Sequence, residues 1–255
     1  MGETLDVLAP GPVGRFDLAN SFRVALRGGA PSSVSDVDLL AGRNLLALRG
    51  EDGRWELIGF GRADLVDADV WKISRLLRGF GGEEDLAARL LPVGATLVMV
   101  DEALVPLAQG LDRLGVAQHF RIGPQKRDYA DATYLPFEAT PSALSLRPYA
   151  PVRAKAQRGT DGVRISFLRR TRRHGDNWEG LEVPLGEDSE AYVVDVLSGT
   201  QVKRSLSSNA PLVFYSSQQE LADFGAVQNV LSLRIAQVSA AVGRGFDLIV
   251  TLPVL

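Results

Sequence analysis

Apolar and polar residues alternate over short stretches of this chain, and glycine or proline separates one stretch from the next. In "SFRVALRGG", Phe22, Val24 and Leu26 fall on one side of an extended backbone. "NLLALRGEDGRWELIGFG" holds two apolar runs around Asp52-Gly53, a tight-turn dipeptide, and predicts a hairpin. "WKISRLLRGFGG" alternates through Trp71 and Ile73 before a glycine-rich break, and "GATLVMVD" is a compact apolar strand. Strands spaced at roughly 8–12 residues are the signature of a barrel or sandwich.

Helical signals are few. "SVSDVDLLAG" predicts a short helix with Ser35 as N-cap and Gly42 as stop. "GEEDLAARLL" predicts another, with Glu83, Glu84 and Asp85 in its first turn and Arg89 in its last. "DEALVPLAQG" contains Pro106 and reads as a turn.

Residues 136–151 hold four prolines and no periodic element, which predicts a stiff connection between domains. Beyond it, Val163, Ile165 and Phe167 share one strand face, and Tyr192, Val194 and Val196 share another. "PVRAKAQRG" precedes these two, "TQVKRSLSS" pairs back across Ser198-Gly199, and "PLVFYSSQQ", "VLSLRIAQVSA" and "DLIVTLPV" bring the expected strands to seven. The expected fold is therefore mainly β. A β-rich domain, barrel or sandwich with one or two short helices, spans 1–140, and an immunoglobulin-like or fibronectin-type seven-stranded sandwich spans 141–255. Phe167, Tyr192, Leu233 and Ile235 are its expected core anchors.

Composition narrows the chemistry. With 45% hydrophobic and 23% charged residues among 255, the chain is ordinary for a globular protein. The net charge of −3 argues against a chain built to coat nucleic acid. Without cysteine, disulfide and thiolate-metal sites are excluded, and the two histidines make a His-rich metal site a poor reading. No apolar run approaches a membrane span, and "MGETLDVLAP" shows no secretory signal.

"RRTRRHGDNW" is the densest cluster of chemistry-bearing side chains: Arg169, Arg170, Arg172, Arg173, His174 and Trp178. A strand cannot keep all four arginines on one face, so the run enters a loop, and the acidic "GEDSE" is its expected counterpart. A nucleic-acid site would need interleaved aromatics and a wider basic face. A solvated loop with surface ion pairs is the favoured reading. His174 lies in a Gly/Asp/Asn turn without a nucleophile, and His119 sits beside Phe120 in a strand; neither reads as a general base. Glu83, Glu84 and Asp85 suit a helix start better than a hydrolytic pair. "DVD" and "DADV" lack the glycine and distal glutamate of a calcium loop, and "GFGG" lacks the phosphate-loop Lys-Ser/Thr. No catalytic, cofactor-binding or metal-binding residue is expected.

Several stretches together resemble one family: "NLLALRGEDGRWELIGFGRADLV", "WKISRLLRGFGG", "FRIGPQKRDYAD", "LRPYAPVRAKA", "ISFLRRTRRHGDNWEGLEVPLGEDSEAYVVDVLSG" and "LRIAQVSAAVGRG". They resemble the C-terminal part of the large tail-tip (baseplate hub, "megatron", host-specificity) protein of tailed phages and bacterial gene transfer agents. The resemblance implies a β-rich hub region, then a fibronectin type III-like module with Phe167 where such modules usually carry tryptophan, and Leu233 in place of a common tyrosine. It also implies that the chain is a C-terminal portion of a longer protein. The expected role is structural and non-enzymatic, with no cofactor. The chain would be made in the bacterial cytoplasm and sit at a virion or particle tail tip. There it would join other tail-tip subunits in a homo-oligomeric ring and help recognise the host surface, without direct nucleic-acid binding. Exposed apolar positions such as Leu168 would serve subunit or receptor contacts, and Trp178, Arg172, Arg173 and Tyr215 are candidate surface contacts. The alternative is a carbohydrate-binding module stacking Trp178 or Tyr215 on host polysaccharide. A cell-wall hydrolase ranks last, because no acid/base pair is identifiable.

Overall fold

The computed structural model describes residues 1–107, 109–175 and 183–255, and the mainly β chain divides into two units, Met1–Ser145 and Leu146–Leu255. In the first unit, β1 (Gly2–Thr4), β2 (Asp17–Leu26), β3 (Leu45–Arg49), β4 (Trp55–Asp67), β5 (Val70–Leu77) and β6 (Thr96–Val100) close into an antiparallel barrel. The order around it is β1-β2-β5-β4-β3-β6, so β1 pairs with both β2 and β6. Closure leaves no open edge within the ring.

Alternation fills the barrel. Phe22, Val24 and Leu26 from β2 meet Leu46 and Leu48 from β3, Ile58 and Phe60 from β4, and Leu97 from β6. On β5 the inward residues Ile73 and Leu76 are three apart, and between them Arg75 takes a left-handed φ of 56°. Helix α1 (Asp36–Leu40) starts at Ser35, whose hydroxyl accepts from the Asp38 N–H at 3.2 Å, as its N-cap pattern predicts. Its one buried residue, Leu39, packs on Gly59, where an added Cβ would lie 2.9 Å from the leucine Cδ1. Helix α2 is shorter than its pattern suggests, covering only Glu84–Ala87. Glu83 precedes it without making a side-chain cap bond. Outside the ring, β7 (Gln118–Ile122) and β8 (Leu135–Ala139) form a two-stranded sheet of their own.

The second unit pairs β9 (Val152–Arg158), β10 (Gly162–Leu168), β11 (Tyr192–Ser198), β12 (Gln201–Ser208) and β13 (Leu212–Ser216) with α3 (Ser217–Phe224), β14 (Val230–Ser239), β15 (Gly243–Arg244) and β16 (Leu248–Pro253). One sheet runs β13-β10-β9; the other runs β12-β11-β14, with β15 and β16 both on β14. Both sheets supply one core, in which Phe167 meets Tyr192 edge to face at 5.0 Å, beside Leu233 and Ile235. All four expected anchors lie inside.

Helix α3 is the element that the apolar pattern misses. Ser216 and Gln219 form a reciprocal capping box, and Gly225 ends the helix at φ 73°. The Ser-x-x-Gln signature was present in "SSQQ", at what reads as the tail of a strand.

Candidate functional site

The arginine segment leaves β10 after Leu168 and turns at once. Arg169 donates to the carbonyls of Pro184 at 2.9 Å and Val183 at 2.5 Å. The Arg170 guanidinium stacks over the Tyr149 ring at 4.7 Å. Thr171 folds the next turn by accepting from the Arg173 N–H at 3.1 Å. Arg172 donates to Glu187 at 2.5 Å and to the Gly186 carbonyl at 3.4 Å. Glu190 also approaches Arg169, at 4.0 Å. "GEDSE" is thus the electrostatic counterpart of the run.

The character of that pairing corrects the expectation of a solvated loop with surface ion pairs. The Arg172 and Glu187 side chains keep only 12% and 7% of their surface in water. Arg172 is a strut between the two limbs of the loop and is withdrawn as a surface contact. Arg173 and His174 are exposed, His174 at a left-handed φ of 49°, and Leu168 is exposed at the strand exit. Trp178 lies outside the described residues.

Tyr215 is a second correction: it is wholly buried. In β13 every residue of "LVFY" is apolar, so parity alone leaves two possible inward faces; Val213 and Tyr215 take the core, and Leu212 and Phe214 face out. The Tyr215 hydroxyl donates to Asp223 on α3 at 2.9 Å, and burial together with that carboxylate raises its pKa. The ring cannot stack on a sugar.

Three further charged clusters were not visible in the sequence. Inside the barrel, Arg78 donates to both Glu56 oxygens, at 2.7 and 2.9 Å, and to the Ala9 carbonyl at 3.0 Å. Both side chains of this pair are sealed from water. Nearby, Glu83 is buried with Oε2 unpartnered, and burial, helped by the Glu56 charge, pushes its carboxyl above the ordinary range. Glu56 is fully engaged by Arg78 and the Gly79 N–H, so it is not free to act with Glu83 as an acid/base pair.

In the second unit, Glu220 of α3 accepts from Arg158 at 2.6 and 3.0 Å and from the Gln228 N–H at 2.8 Å. Burial would raise its carboxyl; these donors win and hold it below the ordinary range. Asp195 follows the same logic. Burial opposes ionisation, yet Ser205, Arg234 and Arg244 draw its pKa down. Each cluster ties neighbouring strands or a helix to a sheet. Among the described residues, no group of three His, Cys, Asp or Glu side chains is placed to hold a metal ion.

Comparison with known proteins bears on the barrel. Residues 1–98 match the family model described as "Rcc01698-like, C-terminal". The match covers the ring through most of β6 and stops before β7. No curated protein matches the chain. Among solved structures, the chain is similar to the rat CD45 extracellular region, domains d3-d4, at 10% identity over 60% of this chain and 71% of that one, with a TM-score of 0.31. It is also similar to a beta-1,2-glucanase from Parabacteroides distasonis at 13% identity over 98% of this chain, with a TM-score of 0.26. Only 27% of the glucanase is spanned. Likenesses that weak carry no argument about fold or activity.

Proposed function

We propose that this chain is a structural, non-enzymatic component of the tail tip of a gene transfer agent or phage-like particle, assembling with other tail-tip subunits and helping to present the host-recognition surface. The observation that carries this reading is the family match over residues 1–98, because the Rcc01698-like name is associated with gene transfer agents. The match falls on the closed barrel, which is the part suited to rigid stacking. The second unit is read as a fibronectin type III-like module. Its strand order supports this: β13-β10-β9 in one sheet, β12-β11-β14-β16 in the other. The buried arginine–carboxylate pairs also suit this reading, since each ties neighbouring elements of its unit together and both partners are engaged with one another. The polysaccharide-binding alternative loses one of its two aromatic platforms with the burial of Tyr215.

The test is localisation. An epitope tag after Leu255, carried on the chain in a producing strain, should be found by immunogold labelling at the tail tip of purified particles. Deleting the coding sequence should yield tailless or tip-less particles. Intact, tipped and transfer-competent particles from the deletion strain would overturn the reading.

A further inference from the structure

Between β5 and α2 the chain folds a carboxyl out of water. Gly79 turns at a left-handed φ of 64°, and an added Cβ there would lie 2.9 Å from the Glu84 Cα. Gly81 lies against the Glu83 carboxyl, where an added Cβ would sit 2.6 and 2.8 Å from its two oxygens. Glu83 keeps only 8% of its surface in water, and its buried Oε2 has no hydrogen-bond partner among the described residues. The turn it belongs to leads straight into α2. The Leu86 N–H donates to the Glu83 carbonyl at 2.9 Å, Leu86 and Ala87 are buried, and the Ala87 carbonyl accepts from the Gly11 N–H at 2.9 Å.

A buried carboxylate stays ionised only beside a cation or with enough donors to replace water. Both guanidiniums in reach of Glu83 are already engaged. Arg78 gives Nε and Nη2 to Glu56 and Nη1 to the Ala9 carbonyl. Arg54, which feels the Glu83 charge, is held by both oxygens of Asp85 at 2.6 and 3.1 Å. The other charged groups are of the wrong sign: Glu56 on β4, and Glu84 and Asp85 on α2. Gly82 packs on Leu144 and Ser145, which bring no charge. Backbone N–H groups of Glu83 itself, Gly81 and Leu57 favour the charged form, and burial outweighs them. The geometry therefore leaves one buried carboxyl oxygen without a donor and with negative neighbours, an arrangement that suits the neutral acid.

We propose that Glu83 is a proton-held latch: as the neutral acid it packs against Gly81 and keeps the turn and α2 closed, and on losing its proton it moves out to water and releases them. What opens is local. The Glu56–Arg78 pair stays in place, while α2 lets go of Gly11 and uncovers Leu86 and Ala87. The sign follows from burial. The folded carboxyl titrates above its unfolded value of 4.5, so the latch holds fully below that value and weakens as pH rises through the folded one. This is opposite to Glu220, whose contribution is lost in acid. The latch rests on the first unit alone and stands whether or not the chain belongs to a tail tip.

The experiment is amide hydrogen exchange on the full chain across a pH series, read at the Gly11 and Leu86 N–H groups and corrected for intrinsic exchange. In the wild type, protection of both should fall about tenfold per pH unit from 4.5 up to the folded value and then level off. In Glu83→Gln, which keeps the shape of the neutral acid, protection should not change with pH. At alkaline pH the variant should be the better protected of the two. Carbon-13 spectra of the wild-type carboxyl, assigned through its own backbone, should show Glu83 titrating above 4.5, so the outcome does not depend on the variant folding. The same pH dependence in wild type and variant overturns the proposal. So does a Glu83 carboxyl that titrates at or below 4.5.

Discussion

The barrel and the sandwich each bury a bidentate arginine–carboxylate pair, and they enclose it differently. Arg78–Glu56 sits inside a ring of strands with no edge, and both side chains are dry. Arg158–Glu220 ties β9 to α3 beside an open sheet; the glutamate is dry but the arginine keeps 28% of its side-chain surface in water. In a closed ring a lone charge left behind has no route to solvent. Beside an open sheet the surviving arginine can swing outward and rehydrate. Two pairs with the same chemistry therefore differ in what their loss should cost.

The largest effect is expected from Glu56→Gln, which strands the Arg78 guanidinium in the barrel and should destabilise the first unit by about 3–5 kcal/mol. Chemical denaturation resolved by unit would show it, and a loss no greater than that of the sandwich variant below would remove the distinction.

Next comes Glu220→Gln, with an expected loss of about 2–3 kcal/mol from the second unit. The wild-type Glu220 carboxyl titrates below its unfolded value of 4.5. Its contribution is therefore complete above that value and drains away as pH falls through the lower folded pKa. The gap between wild type and variant should be full at pH 7 and close in acid. A gap that is constant with pH would show that Glu220 acts by shape alone.

The smallest pair of effects lies in the loop. Arg172→Ala should lose about 1–2 kcal/mol, because Glu187 is buried with it. Arg173→Ala should leave the melting temperature unchanged. Equal effects from the two would restore the reading of the run as a solvated loop.

Where side-chain alternation is clean, the sequence is a good guide. Val163, Ile165 and Phe167 alternate with Arg164 and Ser166, and β10 buries the first set. Turn dipeptides are equally legible: Asp52-Gly53 joins β3 to β4, and the chain reverses after Ser198 to begin β12. Legibility fails where both faces of a strand are apolar, as in β13, and Tyr215 was misplaced for that reason. It fails again where a contact depends on closure. Glu56 and Arg78 lie on separate runs, and nothing local announces that the barrel will turn both inward. The arginine run shows the intermediate case. Its acidic counterpart could be named from charge alone, but the burial of Arg172 depends on how the loop folds back.

The barrel also has a timetable. Its narrowest wall is the three-residue strand β1, held on one side by β2 and on the other by Gly2 against Leu97 and Glu3 against Thr96 of β6. During synthesis, β2 to β5 can zip as neighbours while β1 waits for a partner that emerges only after them. Until β6 arrives, the nascent sheet exposes two unpaired edges and its leucine-rich interior. The pairing that closes the ring joins its first and last strands, the two farthest apart in sequence, and so carries the largest chain-entropy cost of any strand pairing in the barrel.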